Sequence, residues 1–435
     1  MPDFAISDSP AVQEQLDRLA ALSPGADILG LERITRLLDR VGNPQHDLPP
    51  VFHVAGTNGK GSTCAFLRAA LEAEGRSIHA YTSPHLVRFN ERIRLNGQLI
   101  DDERLARYLA RVLDIAEGIG ASFFEVTTAA AFLAFAEHPA DACIIEVGLG
   151  GRLDATNVLT APAVCGIAAL GIDHEAFLGN SLPVIAAEKA GIAKRGVPLV
   201  TMRYPDNIAA VIAQSAAKAG ARWLPMGTGW DAATYRDRLH YRDEAGRIET
   251  PLPRLSGPHQ PMNLALALAM LRHQSAVPVS EAALKAAPTW AHWPARLQRL
   301  PAGPLTAPLG ADRTVWLDGG HNPSAGEVLA AHFPRAEKLS VIIGMLSNKD
   351  ARGFLEPFHD RIGHLHCLPV PGHEYHDADA FAAMAAEWGF ACTSHPDPAA
   401  AIGAVAMDGG DAPVLICGSL YLAGEILRQN GNLPD

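Results

Sequence analysis

The sequence predicts an α/β protein in two parts: a doubly wound, mostly parallel sheet domain, followed by a smaller Rossmann-like α/β domain. Three observations carry that expectation. An apolar stretch of strand length at 51–55 runs through the glycine-rich turn Gly56-Thr57-Asn58-Gly59-Lys60-Gly61-Ser62 into a helical pattern at 63–74. Strand-length apolar runs then alternate with helix-length segments to about residue 219. A proline-dense stretch at 288–308 interrupts the series, and a second one follows it. At 435 residues the chain exceeds what one hydrophobic core usually serves. The expected domains are 1–297 and 298–435, with the linker near 298–304.

In chain order, residues 13–22 and 31–41 show helical spacing, and Asn43-Pro44 breaks it. At 51–74 a strand, a glycine-rich turn and a helix start make backbone N–H groups converge, and the helix dipole adds positive potential. That is the layout of a P-loop. Lys60 would supply mobile positive charge to the outer phosphates, and Ser62 or Thr63 a hydroxyl for a phosphate-bound Mg²⁺. The string departs from the general pattern twice. Val54 stands where a glycine is expected, and Gly61 where a serine or threonine follows the lysine. An ordinary glycine-rich strand-to-helix turn is the alternative.

Residues 77–81 read as a strand leading to Thr82-Ser83-Pro84-His85-Leu86; 92–95 as another, closed by an Asn96-Gly97 turn; and Asp101 opens a helix. Phe123-Phe124-Glu125 precedes a helical stretch to Glu137. Residues 142–147 form a buried strand ending near Glu146, 164–170 another ending at Gly171-Ile172-Asp173-His174, and 182–193 a helix carrying Lys189. The stretch 230–251, with alternating apolar residues, suggests an antiparallel hairpin appended to the sheet. Helices are expected at 260–274 and 280–287, then strands at 315–317, 339–343, 365–368 and 414–417.

Composition narrows the function. An apolar fraction of 48% suits a soluble globule, and a net charge of −11 argues against broad binding to nucleic acid or anionic membrane. No window reaches the length of a membrane span, and the N-terminus lacks a signal-peptide pattern. Six cysteines without C-x-x-C spacing suit a reducing cytosol, so a cytoplasmic location is expected.

Ligands of open parallel sheets bind beyond the carboxyl ends of the strands. The turn 56–62, Ser83, Glu146, His174 and Asp318-Gly319-Gly320-His321-Asn322 all fall just past expected strands. Each has a plainer reading. Ser83 before Pro84 suits a turn, a lone histidine is more often structural than a ligand, and Lys189 could pair with Asp173 or Glu175. Glu146 at the end of an apolar strand calls for a cation or arginine partner.

Taken together, GTNGKGS at 56–62, TSPHL at 82–86, EVGLGGRLDATN at 146–157, GIDHEAFLGNS at 171–181, EKAGI at 188–192 and LDGGHNP at 317–323 resemble the dihydrofolate synthase/folylpolyglutamate synthase enzymes of the Mur ligase superfamily. The likeness runs from about Leu29 to Ser419. It implies a Mur ligase-type fold and an ATP-dependent amide ligase that phosphorylates a carboxylate and joins it to L-glutamate. Site roles carry over by position. Gly56, Thr57, Asn58, Gly59, Lys60, Gly61 and Ser62 match the ATP phosphate turn, Asn263 and Arg296 match ATP contacts, and Asp318 matches the ribose-binding residue.

Ser83, Glu146, His174 and Lys189, the last as a carbamate, match ligands of two Mg²⁺ ions. Lys60, Lys189, His174 and Arg296 would carry catalysis. Leu29, Gly30, Leu31 and Glu32, with Ser122, Phe123, Phe124 and Glu125 and with Leu153, Asp154 and Ala155, match segments lining the pterin pocket of bifunctional members. His321 and Ser419 match places that help hold glutamate. The partners implied are small molecules only (dihydropteroate, reduced folates, L-glutamate and ATP), acting on a monomer. Two departures stand out: Gly320 where relatives have alanine, expected to leave ribose binding unaffected, and Pro294-Ala295-Arg296 for the commoner Pro-Gly-Arg. The alternatives are a monofunctional folylpolyglutamate synthase, a UDP-muramoyl amino-acid ligase, and a nucleotide-binding protein without catalysis.

Overall fold

Val51–Ala55 (β1) is buried along its whole length and lies inside an eight-stranded sheet. The other strands are Ile78–Tyr81 (β2), Ile93–Leu95 (β3), Gln98–Leu99 (β4), Ala142–Glu146 (β5), Val164–Ile167 (β6), Pro198–Thr201 (β7) and Arg222–Pro225 (β8). Their order is β4-β3-β2-β5-β1-β6-β7-β8. From β2 to β8 the neighbours run parallel, and β3 and β4 add an antiparallel edge. Strands flanked by helices on both faces can be apolar throughout, which is why VFHVA and ACIIE read as continuous runs. The chain reaches β2 on one side of β1 and β6 on the other. The carboxyl ends of β5, β1 and β6 therefore frame the crevice where such sheets bind ligands. The computed structural model describes residues 6–22 and 29–435.

Local signals act where expected. Asp101 accepts from Arg104 N at 2.7 Å and caps Asp102–Leu113. Asn96 and Gly97, at φ +52° and +81°, make the tight turn between β3 and β4. Phe123-Phe124-Glu125 is the first turn of the helix Phe123–Glu137 rather than its approach, because Ser122 and Glu125 form a capping box. That helix, with Glu32–Arg40 and Pro10–Leu22, closes one apolar core over the sheet, and the helices Leu182–Ala190 and Asp206–Ala219 close another.

The expected hairpin at 230–251 is instead a separate three-stranded sheet of Trp230–Tyr235 (β9), Arg238–Asp243 (β10) and Gly246–Pro251 (β11). Arg236 and Asp237 at positive φ make a second tight turn that sequence periodicity did not mark.

The second compact unit takes in Leu255–Pro258 and Trp293–Pro434. It holds a sheet of Gln298–Arg299 (β12), Val315–Leu317 (β13), Leu339–Ile343 (β14), Ile362–Cys367 (β15), Ala391–Ser394 (β16) and Val414–Cys417 (β17), in the order β12-β13-β17-β14-β15-β16. The stretch expected as linker is thus partly a strand. The division falls after His292 rather than Leu297, since Leu297 N bonds Asp318 and Ala295 O accepts from Gly319 N, both within the second unit. β16 and β12 escaped the sequence reading: both are edge strands, and their short polar stretches show no apolar alternation.

All six cysteines are free. No described helix is long and apolar enough to cross a membrane.

Candidate active site

The turn at the end of β1 is shaped by close approach. Gly59 has φ +83°, and a Cβ there would collide with the Asn263 amide, so only glycine fits. Thr57 and Asn58 donate their backbone N–H to Ala169 O at 2.8 and 3.1 Å, and Thr57 Oγ1 donates to Gly171 O at 2.9 Å, tying the turn to the end of β6. The first helical bond across the turn runs from Thr63 N to Gly59 O at 2.9 Å. The amides of Lys60, Gly61 and Ser62 precede it at a helix N-terminus, the place where anions bind. Lys60 Nζ folds back onto Gly56 O and Thr57 O at 3.2 and 3.4 Å. Thr63 Oγ1 donates to Gly59 O, which leaves Ser62 as the hydroxyl facing Gln260, whose Nε2 donates to it at 3.2 Å. Gln260 also accepts from Asn263 Nδ2 at 3.1 Å. It is fully buried and was missed by motif reading; its only sequence signal is its place opening the helix that carries Asn263.

Beside this turn lies Lys189, 5% exposed on the helix Leu182–Ala190. Its Nζ donates to Gly56 O at 3.0 Å rather than pairing with Glu175. Burial, then the nearby Lys60 charge, lower its pKa to about 7; Asp173 and Asp154 act more weakly the other way. The loop after β5 packs on the end of this helix. A Cβ at Gly151 would stand 2.8 Å from Glu188 O, and Arg152 grips Glu188 at 2.8 and 3.0 Å. Glu146, 4% exposed at the end of β5, accepts from Ser83 N at 3.4 Å and stands opposite Val54 of β1. Ser83, Glu146, Lys189 and the turn thus converge at one sheet edge. His174 is exposed with φ +55°, next to Asp173, whose Oδ1 accepts the His174 N–H.

The three segments matched to the pterin pocket also meet. The helices Glu32–Arg40 and Phe123–Glu137 pack on each other and on the short turn Ala155–Val158. Leu31 and Phe124 rest on the same core, and Phe124 fills the space a side chain at Gly148 would need. Glu125 is buried; its Oε2 accepts from Ser122 N at 2.7 Å and Arg33 Nε at 3.0 Å. Its Oε1 is buried without a hydrogen-bond partner among the described residues. Asp154 is buried and accepts from Leu149 N, Thr156 N and Thr156 Oγ1. Its carboxylate shapes the loop, although burial pushes its pKa up. Glu32 is exposed, while Leu29, Gly30 and Leu153 are half-buried.

In the second unit Asp318 follows β13. It accepts from Leu297 N and Gly320 N, each at 2.7 Å, which fixes both oxygens. Ala295 and Leu297, at φ +55° and +43°, flank Arg296, so the arginine is presented by a left-handed kink. Ser419 is buried and its hydroxyl caps the helix Leu420–Gln429, accepting from Tyr421 N at 3.1 Å. His321 Nδ1 lies 3.0 Å from Gly319 O.

A glycine-rich turn with a buried amine and carboxylate beside it, in a parallel sheet accompanied by a second parallel-rich sheet, is the arrangement that the resemblance to ATP-dependent ligases of the Mur ligase type implies. Residues 306–429 match a family model described as "Dihydrofolate synthetase, C-terminal domain". The chain is 33% identical over 413 residues to the folylpolyglutamate synthase of Lacticaseibacillus casei, covering 91% of this chain and 92% of that one. It therefore belongs to the dihydrofolate synthase/folylpolyglutamate synthase family. Escherichia coli FolC in complex with DHPP and ADP superposes with a TM-score of 0.86 at 32% identity, covering 97% of each chain. A bifunctional folylpolyglutamate synthase/dihydrofolate synthase with Mn, AMPPNP and L-glutamate bound gives a TM-score of 0.84 at 31% identity, over 97% of this chain and 98% of that one.

Proposed function

We propose that the chain is bifunctional, joining L-glutamate to dihydropteroate and to the glutamate tail of reduced folates, as a cytoplasmic monomer using ATP and Mg²⁺. The observation that carries this reading is the Lys189 amine, buried and half-neutral near pH 7 beside a phosphate turn. A neutral amine captures CO₂ and becomes a carbamate, which turns a cation into a hard oxygen ligand. Together with Ser83, Glu146 and His174, that carbamate supplies a donor set suited to two divalent ions. Bound there, Mg²⁺ would supply positive charge against the phosphates.

The rest of the chemistry falls to side chains. The substrate carboxylate takes the γ-phosphoryl group of ATP, releasing ADP, and the amine of L-glutamate then attacks the acyl carbon. Phosphate leaves with the bond pair, the amine proton goes to solvent, and an amide remains. Two anions must meet in the first step. Lys60, released from its loop carbonyls, would offset the charge that gathers between them. Asn263 would hold the nucleotide, and the resemblance gives Arg296 and Asp318 nucleotide contacts as well.

The unpartnered Oε1 of Glu125 supports pterin binding, because a pterin ring offers N–H donors to a buried acceptor. The test is ligation with ATP and L-glutamate on dihydropteroate and tetrahydrofolate side by side. Turnover of both is expected. Turnover of tetrahydrofolate alone would establish the monofunctional enzyme instead.

A further inference from the structure

Outside the residues assigned above, the second unit carries a cluster of three imidazoles and a carboxylate. His364 and His366 are two residues apart on β15, so they share a face, and their rings stack with centroids 4.1 Å apart. Asp408, at the end of the helix Pro398–Met407, brings Oδ2 to 2.9 Å from His364 Nδ1 and 3.7 Å from His366 Nε2. One donor atom from each of His364, His366 and Asp408 lies within 4.8 Å of the other two. His366 is fully buried, and its Nε2 has no hydrogen-bond partner among the described residues. A lone pair buried without a donor, facing a carboxylate, is a costly arrangement unless something positive completes it.

We propose that His364, His366 and Asp408 bind a divalent transition-metal ion, Zn²⁺ in the first instance, at a site that takes no part in the ligation. Two imidazoles and one carboxylate suit zinc, whereas Mg²⁺ prefers an all-oxygen shell. Tetrahedral zinc holds its nitrogen and oxygen donors about 3.3 Å apart. That value falls between the two distances measured from Asp408.

The surroundings fit as well. Histidine ligands to metals donate their second ring N–H to a fixed acceptor. Here His366 Nδ1 lies 3.0 Å from His395 Nε2, and His364 Nε2 lies 2.9 Å from Thr393 Oγ1. When His364 Nδ1 takes the ion, its proton sits on Nε2 and Thr393 accepts it. The fourth position is open to water beside the half-exposed Asp408. The ion would clip the end of the helix Pro398–Met407 to β15.

The test uses the full chain, stripped of metal and kept in excess Mg²⁺, with Zn²⁺ added in a calorimeter and Co²⁺ as a spectroscopic probe. The expected result is about one Zn²⁺ per chain and a Co²⁺ absorption band of tetrahedral intensity. Asp408→Asn and His364→Ala, both at sites open to solvent, should weaken Zn²⁺ binding more than about 100-fold. His395→Ala should weaken it by about 10–100-fold. Glutamate-dependent ADP release should be unchanged in all three. Equal Zn²⁺ affinity in wild type, Asp408→Asn and His364→Ala would overturn the site, as would a Co²⁺ spectrum without that band.

Discussion

Replacing Lys189 by methionine separates the function of this residue from its effect on stability. The amine is moved from 10.5 to about 7, chiefly by burial. At roughly 1.4 kcal/mol per pH unit, its charged form is disfavoured in the folded chain by about 5 kcal/mol. Near pH 7 the folded protein therefore carries most of that penalty, while the unfolded chain keeps its proton. The unfolded state binds more protons from about pH 7 to 10.5, so stability rises with pH across that window and the penalty is gone above it. Methionine has similar length and no charge. It gives up the bond to Gly56 O, a contribution of about 1 kcal/mol.

The variant should then be more stable than wild type by about 3 kcal/mol or more at pH 7, with the gap closing toward pH 10. Urea unfolding at pH 7 and pH 9 in CO₂-depleted buffer measures both. Turnover should fall by about 10²-fold or more, as when a preorganised electrostatic group is removed. A variant less stable than wild type at pH 7 would refute the depressed pKa. Near-normal turnover would refute the carbamate role.

Other changes have equally defined outcomes. Lys60→Ala should lose about 10²-fold or more in turnover with little change in melting temperature, since Nζ rests only on loop carbonyls; steady-state kinetics and calorimetry separate the two. Gly320→Ala should destabilise the second unit by about 1–3 kcal/mol and raise the KM for ATP, because its Cβ would stand 2.6 Å from Asp318 Oδ1 and 2.8 Å from Ala325 Cβ. Unchanged unfolding and KM would contradict the clash. Ala295→Gly should be neutral to stabilising by up to about 1 kcal/mol in chemical denaturation, since the left-handed φ of +55° costs alanine about 1–2 kcal/mol and glycine pays part of that back in unfolded-state entropy. A loss above about 1 kcal/mol would show that the methyl group packs better than the kink is strained.

Legibility in the sequence follows the range of the forces involved. Strand β1, the helix start at Asp101 and the Asn96-Gly97 turn depend on neighbours a few residues apart, and each stands where periodicity and capping chemistry put it, whereas the helix capped by Ser122 begins earlier than periodicity placed it. The glycine-rich turn at 56–62 was readable for the same reason. The three-stranded sheet β9–β11 was half-read, because alternation reveals strands but not which sheet they join. Edge strands β12 and β16 have no apolar face to advertise them.

By itself the sequence determined the α/β class, the order of most of the buried elements and the chemistry available at the strand ends, all of which rest on local backbone preference and on one-dimensional patterning. Only the tertiary structure decided that Lys189 sits against Gly56 with its charge disfavoured, and that Glu125 keeps a bare acceptor. It also decided that Asp408 closes on His364 across 44 residues of chain. Burial and Coulomb interactions act through space, so their outcome is set when the helices and strands pack.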